Sequence, residues 1–253
     1  MSVQLLRSKL LSVPHGFPTR EGGVSPRPFE SLNLGASTGD DRANVEKNVR
    51  RLAEAGGFDV TALRTISQVH GDRIAEPPQT EKGSAIPHAF AEADGIVSAR
   101  EGETLGIRVA DCIPLLIEDP VGRRIAAVHS GWKGTELEIG ARAVEALIAR
   151  GSRPEDLRAA IGPHIRACCY EVSDELAEKF QRKFGEGAVS RAGPKPHLDL
   201  AYAVTRSLRA SGVAESHVEV LPHCTHCDAR FYSHRRDRGA TGRHMAFLTC
   251  RFP

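Results

Sequence analysis

The chain has 253 residues, 40% hydrophobic and 26% charged, proportions that suit a folded globular protein and exclude a disordered or fibrous one. Its formal net charge is only +2, with acidic residues interspersed among the basic ones, which argues against a nucleic-acid-binding face. No apolar run approaches the ~20 residues that span a bilayer, and residues 1–16 are too interrupted for a secretory signal; a cytoplasmic protein without membrane or nucleic-acid partners is expected.

Pro14, Pro18, Gly22, Gly23, Pro26 and Pro28 make the opening segment mostly loop with short strands. Val45, Val49 and Leu52 then recur at helical spacing and Gly56-Gly57 stops them, which predicts a helix near 42–55. LRTISQV, DGIVSA, TLGIRVA, IPLLIED and RIAAVHS are short aliphatic runs separated by Gly, Pro or charge, the pattern of buried strands. Thr135 and Glu138 are spaced as a capping box ahead of IGARAVEALIAR, which Gly151 closes. Leu176, Phe180 and Phe184, then Leu200, Val204 and Leu208, each share one helical face, predicting helices near 174–184 and 199–210. Strands near 157–161, 217–221 and 245–250 alternate with these helices. With no repeat, low-complexity tract or linker, the expectation is an α/β (α+β) fold: a single layered domain over residues 1–253, its mixed β-sheets flanked by helices.

Three segments carry candidate metal ligands: QVHGD with His70, VADCIPLLIED with Cys112 and AAVHSGWKGT with His129. Each ligand falls at or just past the end of a predicted strand, where rigid backbone can hold a side chain facing a cleft. Imidazole and thiolate together suit zinc. Spacings of 42 and 17 residues are too long for a zinc finger and imply ligands converging from separate strands. Three protein ligands leave a fourth position for water, whose pKa zinc lowers to about 7. Spacing by itself does not separate these residues from ordinary core positions; the adjoining Gly71, Pro114 and Gly131 favour exposed strand ends.

The six cysteines do not resemble a secreted disulfide framework. CTHC at 224–227 has the spacing of a zinc half-site or a redox pair, but no second C-x-x-C completes it, leaving His223 and His226 as alternative ligands. Cys168-Cys169 is a vicinal pair. A metal-free reading makes Cys112 a nucleophile with His129 or His70 as its base, as in a cysteine hydrolase.

These blocks, together with TREGGVS, SLNLG, EADGIV, IGPHI, CYEV, LDL, FYSHRRD and TGR, resemble the YfiH family over almost the whole chain. Its members carry the names laccase-domain protein, multicopper polyphenol oxidase and purine nucleoside phosphorylase. The resemblance implies a YfiH-like fold and a zinc held by His70, Cys112 and His129, with copper as an alternative occupant. It also implies phosphorolysis of adenosine, inosine, guanosine and S-methyl-5′-thioadenosine, with adenosine deamination alongside. Phosphate and nucleoside are then the partners. Arg20, Lys133, Arg235, Arg236 and Arg243 are phosphate candidates, because guanidinium forks pair with phosphate oxygens. Asp94, Asp111 and Glu171 are candidates for moving a proton in deamination, Asp111 equally for orienting His70 or His129. A polyphenol oxidase would need closely spaced histidine pairs, and the 11 histidines include no H-x-H. A factor that recognises or edits a cell-wall precursor is a further alternative. The chain departs from the family at His164, at His234 and in the lengthened loop at Arg238–Ala240.

Overall fold

A computed structural model describes residues 2–78 and 89–253. Two six-stranded mixed sheets form its centre. The first contains β1 (Leu5–Leu6), β2 (His15–Pro18), β3 (Leu63–Ser67), β5 (Ala89–Glu92), β7 (Thr104–Val109) and β14 (His244–Thr249), in the order β1-β2-β14-β7-β3-β5. The second contains β4 (Ile74–Ala75), β6 (Gly95–Ser98), β8 (Ile113–Asp119), β9 (Arg124–Ser130), β10 (Arg158–Ile161) and β13 (Val218–Val220), in the order β13-β10-β8-β9-β6-β4. A two-stranded ribbon, β11 (Val189–Ser190) with β12 (His197–Leu198), lies apart. Among the described residues there are five α-helices: α1 (Arg42–Gly56), α2 (Trp132–Glu136), α3 (Ile139–Ile148), α4 (Asp174–Phe184) and α5 (Leu200–Ala210).

The central strands show why their sequences run apolar without alternating. Along β8, Ile113, Leu115 and Ile117 pack with α3 and α5, while Leu116 faces the first sheet. Along β9, Ala126 and Val128 join the helical side, and Ile125 and Ala127 the space between sheets. Along β14, Met245 and Phe247 pack under α1, and Ala246 and Leu248 between the sheets. Both faces of each strand are thus covered, and neither needs polar residues. The layers run helix, sheet, sheet, helices, as the mixed-sheet expectation had it. Burying one such Leu or Ile stabilises the fold by about 1.5–3 kcal/mol.

Local signals mostly act as read from sequence. Asp41 caps α1 by accepting from the Ala43 N–H, and Gly57 ends it at φ 68°, returning its own N–H to the Ala53 and Glu54 carbonyls. That left-handed conformation costs glycine little. The capping box at Thr135 does not form. Thr135 lies inside the short α2, where its hydroxyl bonds Ser130, and α3 starts after Glu138 at φ 59° without a side-chain cap. A break at Leu137 and Glu138 between two helices has replaced the single helix entry that the Thr-x-x-Glu spacing suggested. Among the described residues, no helix is long and apolar enough to cross a membrane.

A candidate metal centre between the sheets

Strand parity places the three candidate ligands. His129 continues the face of β9 that carries Ile125 and Ala127 toward the other sheet, because side chains two apart in a strand share a face. Cys112 stands one residue before β8 and packs on the same inter-sheet core. His70 arrives from the first sheet, three residues beyond β3. Their ligating atoms all lie within 4.8 Å of one another, and the two imidazoles meet edge to face with centroids 4.8 Å apart. His129 is buried, Cys112 half-buried and His70 exposed, so the group opens on one side.

Asp94 holds this arrangement. Its Oδ1 accepts from His129 Nδ1 at 2.7 Å and from the His70 N–H at 3.0 Å. Its Oδ2 accepts from the N–H groups of Gly71 at 2.7 Å and Val69 at 3.1 Å. Its backbone carbonyl takes the His129 N–H at 2.7 Å. One carboxylate fully inside the protein therefore fixes the His129 tautomer and shapes the turn on which His70 sits at φ 61°. A non-glycine residue in that region is held by its surroundings, and such positions concentrate at functional sites. Burial works against the Asp94 charge, but the bond and charge of His129 and the N–H groups of Gly71 and Val69 keep its pKa below the ordinary carboxylate value.

The same electrostatics act on the ligands. Burial would raise the Cys112 thiol, yet the charge and hydrogen bonds of His129 and His70 bring it down to about 6. Burial would lower His129, while the Cys112 charge and the Asp94 carboxylate lift it to about 9. Without a metal the pair is a thiolate facing an imidazolium; a soft cation would take the place of that proton. Gly131 makes the close approach possible, since a Cβ there would lie 3.0 Å from Cys112 Sγ and 3.2 Å from the His70 ring. Two imidazoles and a thiolate converging with one open side fit zinc or copper by donor type.

The centre sits in a cleft of about 850 Å³, a size suited to a small molecule. Of the phosphate candidates, Arg235 and Arg243 line this cleft. Arg243 is half-buried and spends one nitrogen on the Thr241 and Gly242 carbonyls. Arg235 lies over the Tyr170 ring and bonds the Glu171 carbonyl at 2.9 Å. The other three stand elsewhere. Arg236 is taken up by the Thr225 and Phe231 carbonyls and by Asp237. Arg20 lies over Tyr232 and bonds the Glu30 carbonyl, facing a second, shallower depression. Lys133 packs against the Trp132 ring. Of the proton-transfer candidates, Asp111 borders the cleft and accepts from Thr225 Oγ1 and the Arg235 N–H. It orients neither His70 nor His129, a task that falls to Asp94. Glu171 points away, paired with Lys195 at 2.6 Å.

Arg108, Gln68, Tyr170, Trp132 and His234 also line the cleft. Arg108 stood as the lone charge in the buried run TLGIRVA, which was a usable signal. Burial brings it down to about 10, so it stays charged at neutral pH. Gln68 exchanges two hydrogen bonds with the Arg108 backbone, extending the β3–β7 pairing to the cleft edge.

Residues 14–251 match the family described as multi-copper polyphenol oxidoreductase laccase. The chain belongs to this laccase-domain family. Within the family it is 42% identical to a purine nucleoside phosphorylase of Deinococcus radiodurans, over 96% of this chain and 92% of that protein. It is 36% identical to purine nucleoside phosphorylase YlmD of Bacillus subtilis, over 92% and 87% of the two chains. The crystal structure of YlmD from Geobacillus stearothermophilus superposes with a TM-score of 0.92 at 34% identity, covering 99% of this chain and 97% of that one. YfiH from Bacillus licheniformis gives 0.91 at 35%, covering 98% and 96%. The YfiH-like fold expected from the sequence motifs is the fold observed.

Proposed function

We propose that this laccase-domain chain is a cytoplasmic, zinc-dependent purine nucleoside phosphorylase. It would cleave adenosine, inosine, guanosine and S-methyl-5′-thioadenosine, and deaminate adenosine in the same cleft. The observation that carries the reading is the convergence of His70, Cys112 and His129 on an open cleft also lined by Arg235 and Arg243, in a chain whose relatives are named for phosphorolysis.

His70, Cys112 and His129 would hold the zinc, which when bound polarises an oxygen or activates water. Asp94 keeps the proton on His129 Nδ1, leaving Nε2 as the ligating nitrogen. Arg243 and Arg235 hold phosphate for attack at the sugar's anomeric carbon; the C–N bond breaks and its electrons leave with the purine. The products are a free base and a pentose 1-phosphate. Arg108 adds positive charge to the wall, and Tyr170 and Trp132 offer flat faces to a base.

One observation favours a second reading. Cys112, His129 and Asp94 stand in the order of a thiol, its base and the carboxylate that orients the base. The second imidazole, His70, has no place in such a triad and is what a metal donor set requires. A multicopper oxidase fits less well: of the histidines among the described residues, only His70 and His129 join a cluster of metal-binding side chains.

The test is product analysis of adenosine. With phosphate, adenine and ribose 1-phosphate form together; without phosphate, only inosine appears. Adenine release at the same rate in phosphate-free buffer would overturn phosphorolysis, and full activity after exhaustive chelation would favour the thiol nucleophile.

A further inference from the structure

CTHC lacks a second C-x-x-C in sequence, but the fold supplies its counterpart. The vicinal pair Cys168-Cys169 is brought against Cys224 and Cys227, and the four sulfurs all lie within 4.8 Å of one another. We propose that these four cysteines form a second metal centre, a tetrathiolate zinc site distinct from the cleft.

The geometry is that of a coordination sphere. Cys168 Sγ lies 3.7 Å and Cys169 Sγ 3.2 Å from Cys227 Sγ. Four sulfurs about 2.3 Å from one zinc stand roughly 3.8 Å apart at tetrahedral angles, whereas a disulfide needs about 2.05 Å; all four cysteines are free. Backbone donors already serve the sulfur of Cys224: the Arg166 N–H lies at 3.5 Å, and the amides of His226 and Cys227 also bond it. N–H groups aimed at sulfur stabilise thiolate charge, the form that binds metal. The Arg236 guanidinium, held on the Thr225 and His226 carbonyls, places a positive charge beside this loop. Cys168 and Cys227 are exposed, giving a metal a way in.

The centre would join two segments whose regular backbone link is a single β-bridge, His164 to Cys224. The Cys168-Cys169 segment supplies Ile165 and Tyr170 to the cleft. The CTHC segment supplies Thr225, which bonds Asp111, and the carbonyls that fix Arg236. A zinc here therefore stiffens the cleft wall formed by Ile165 and Tyr170 without touching substrate.

The test measures zinc in protein purified under reducing conditions, in a Cys112→Ala background so that loading of the cleft does not enter the count. About one zinc per chain remains there, and Cys168→Ser with Cys227→Ser, both at exposed positions, removes it. Cobalt(II) added to metal-stripped Cys112→Ala protein gives the intense sulfur-to-metal absorption of four thiolates, independent of how the serine variant folds. Zinc-free Cys112→Ala protein that also fails to develop that absorption would overturn the proposal. So would an intact mass lighter by two hydrogens under non-reducing conditions, with the thiols already spent on a disulfide in freshly purified protein.

Discussion

Asp94→Asn keeps the size and shape of a buried side chain while removing its charge and one acceptor oxygen. Oδ1 serves His129 Nδ1 and the His70 N–H, and Oδ2 serves the Gly71 and Val69 N–H groups. Whichever oxygen becomes NH₂ faces two donors. If it replaces Oδ2, the turn carrying His70 loses its anchor. If it replaces Oδ1, His129 is driven toward the other tautomer, and the proton on Nε2 then occupies the direction of the metal. Losing the partner that orients a metal-binding imidazole costs about 10–100-fold in affinity, or roughly 1.4–2.7 kcal/mol. The N–H left without an acceptor costs the fold about 1–3 kcal/mol more. Equilibrium competition against a chromophoric zinc chelator reads the first effect, with Cys112→Ala as the protein lacking the cleft site; thermal unfolding reads the second. Unchanged zinc affinity in a folded Asp94→Asn protein would refute the role given to this carboxylate.

Gly131→Ala should fold, because only side-chain atoms crowd the new methyl, yet push Cys112 Sγ and the His70 ring outward by a few tenths of an ångström; the same competition assay should show weaker zinc binding, and wild-type affinity would contradict it. Arg243→Ala removes a half-buried charge from the cleft wall and should raise the KM for phosphate about 10-fold or more while leaving that for the nucleoside nearly unchanged, as initial rates at varied phosphate will tell. Acid should destabilise the fold through His164 and His244, which burial lowers to about 4 and about 3. Below the unfolded value near 6.5 the unfolded chain takes protons that the native histidines refuse, so stability present at neutral pH is lost as pH falls, by about 1.4 kcal/mol per pH unit for each. Urea midpoints at pH 7 and pH 5 measure this, and equal midpoints would count against it.

The strands and helices were largely legible because their signals are local. Val45, Val49 and Leu52 name the buried face of α1, and Gly57 ends it where the sequence placed the stop. The Thr135 capping box misled because the spacing is silent on whether the backbone enters one helix or turns between two. The grouping of the three candidate ligands was legible in residue type and strand position, and parity then explains the shared direction of Cys112 and His129. Asp94 is a different case. It stood among candidates for moving protons, and nothing in EADGIV reveals that four donors from two distant segments converge on it. Arg20, Lys133 and Arg236 sit in family motifs just as Arg235 and Arg243 do, yet a motif does not say which way its basic side chain turns. Only the packing of Arg236 onto carbonyls and of Arg20 onto Tyr232 separates them. The pairing of CTHC with Cys168-Cys169 joins residues far apart in the chain and needed the fold to become visible.

The placement of β14 between β2 and β7 bears on how the centre comes into being. All three candidate ligands have been synthesised once residue 129 is made, but the sheet that presents His70 still lacks the strand that holds its two halves together. That strand is contributed by residues 244–249. During translation the nascent chain therefore carries the full set of donors well before this sheet is complete. Metal capture at a centre so assembled would belong to the closing stage of biogenesis rather than to its beginning.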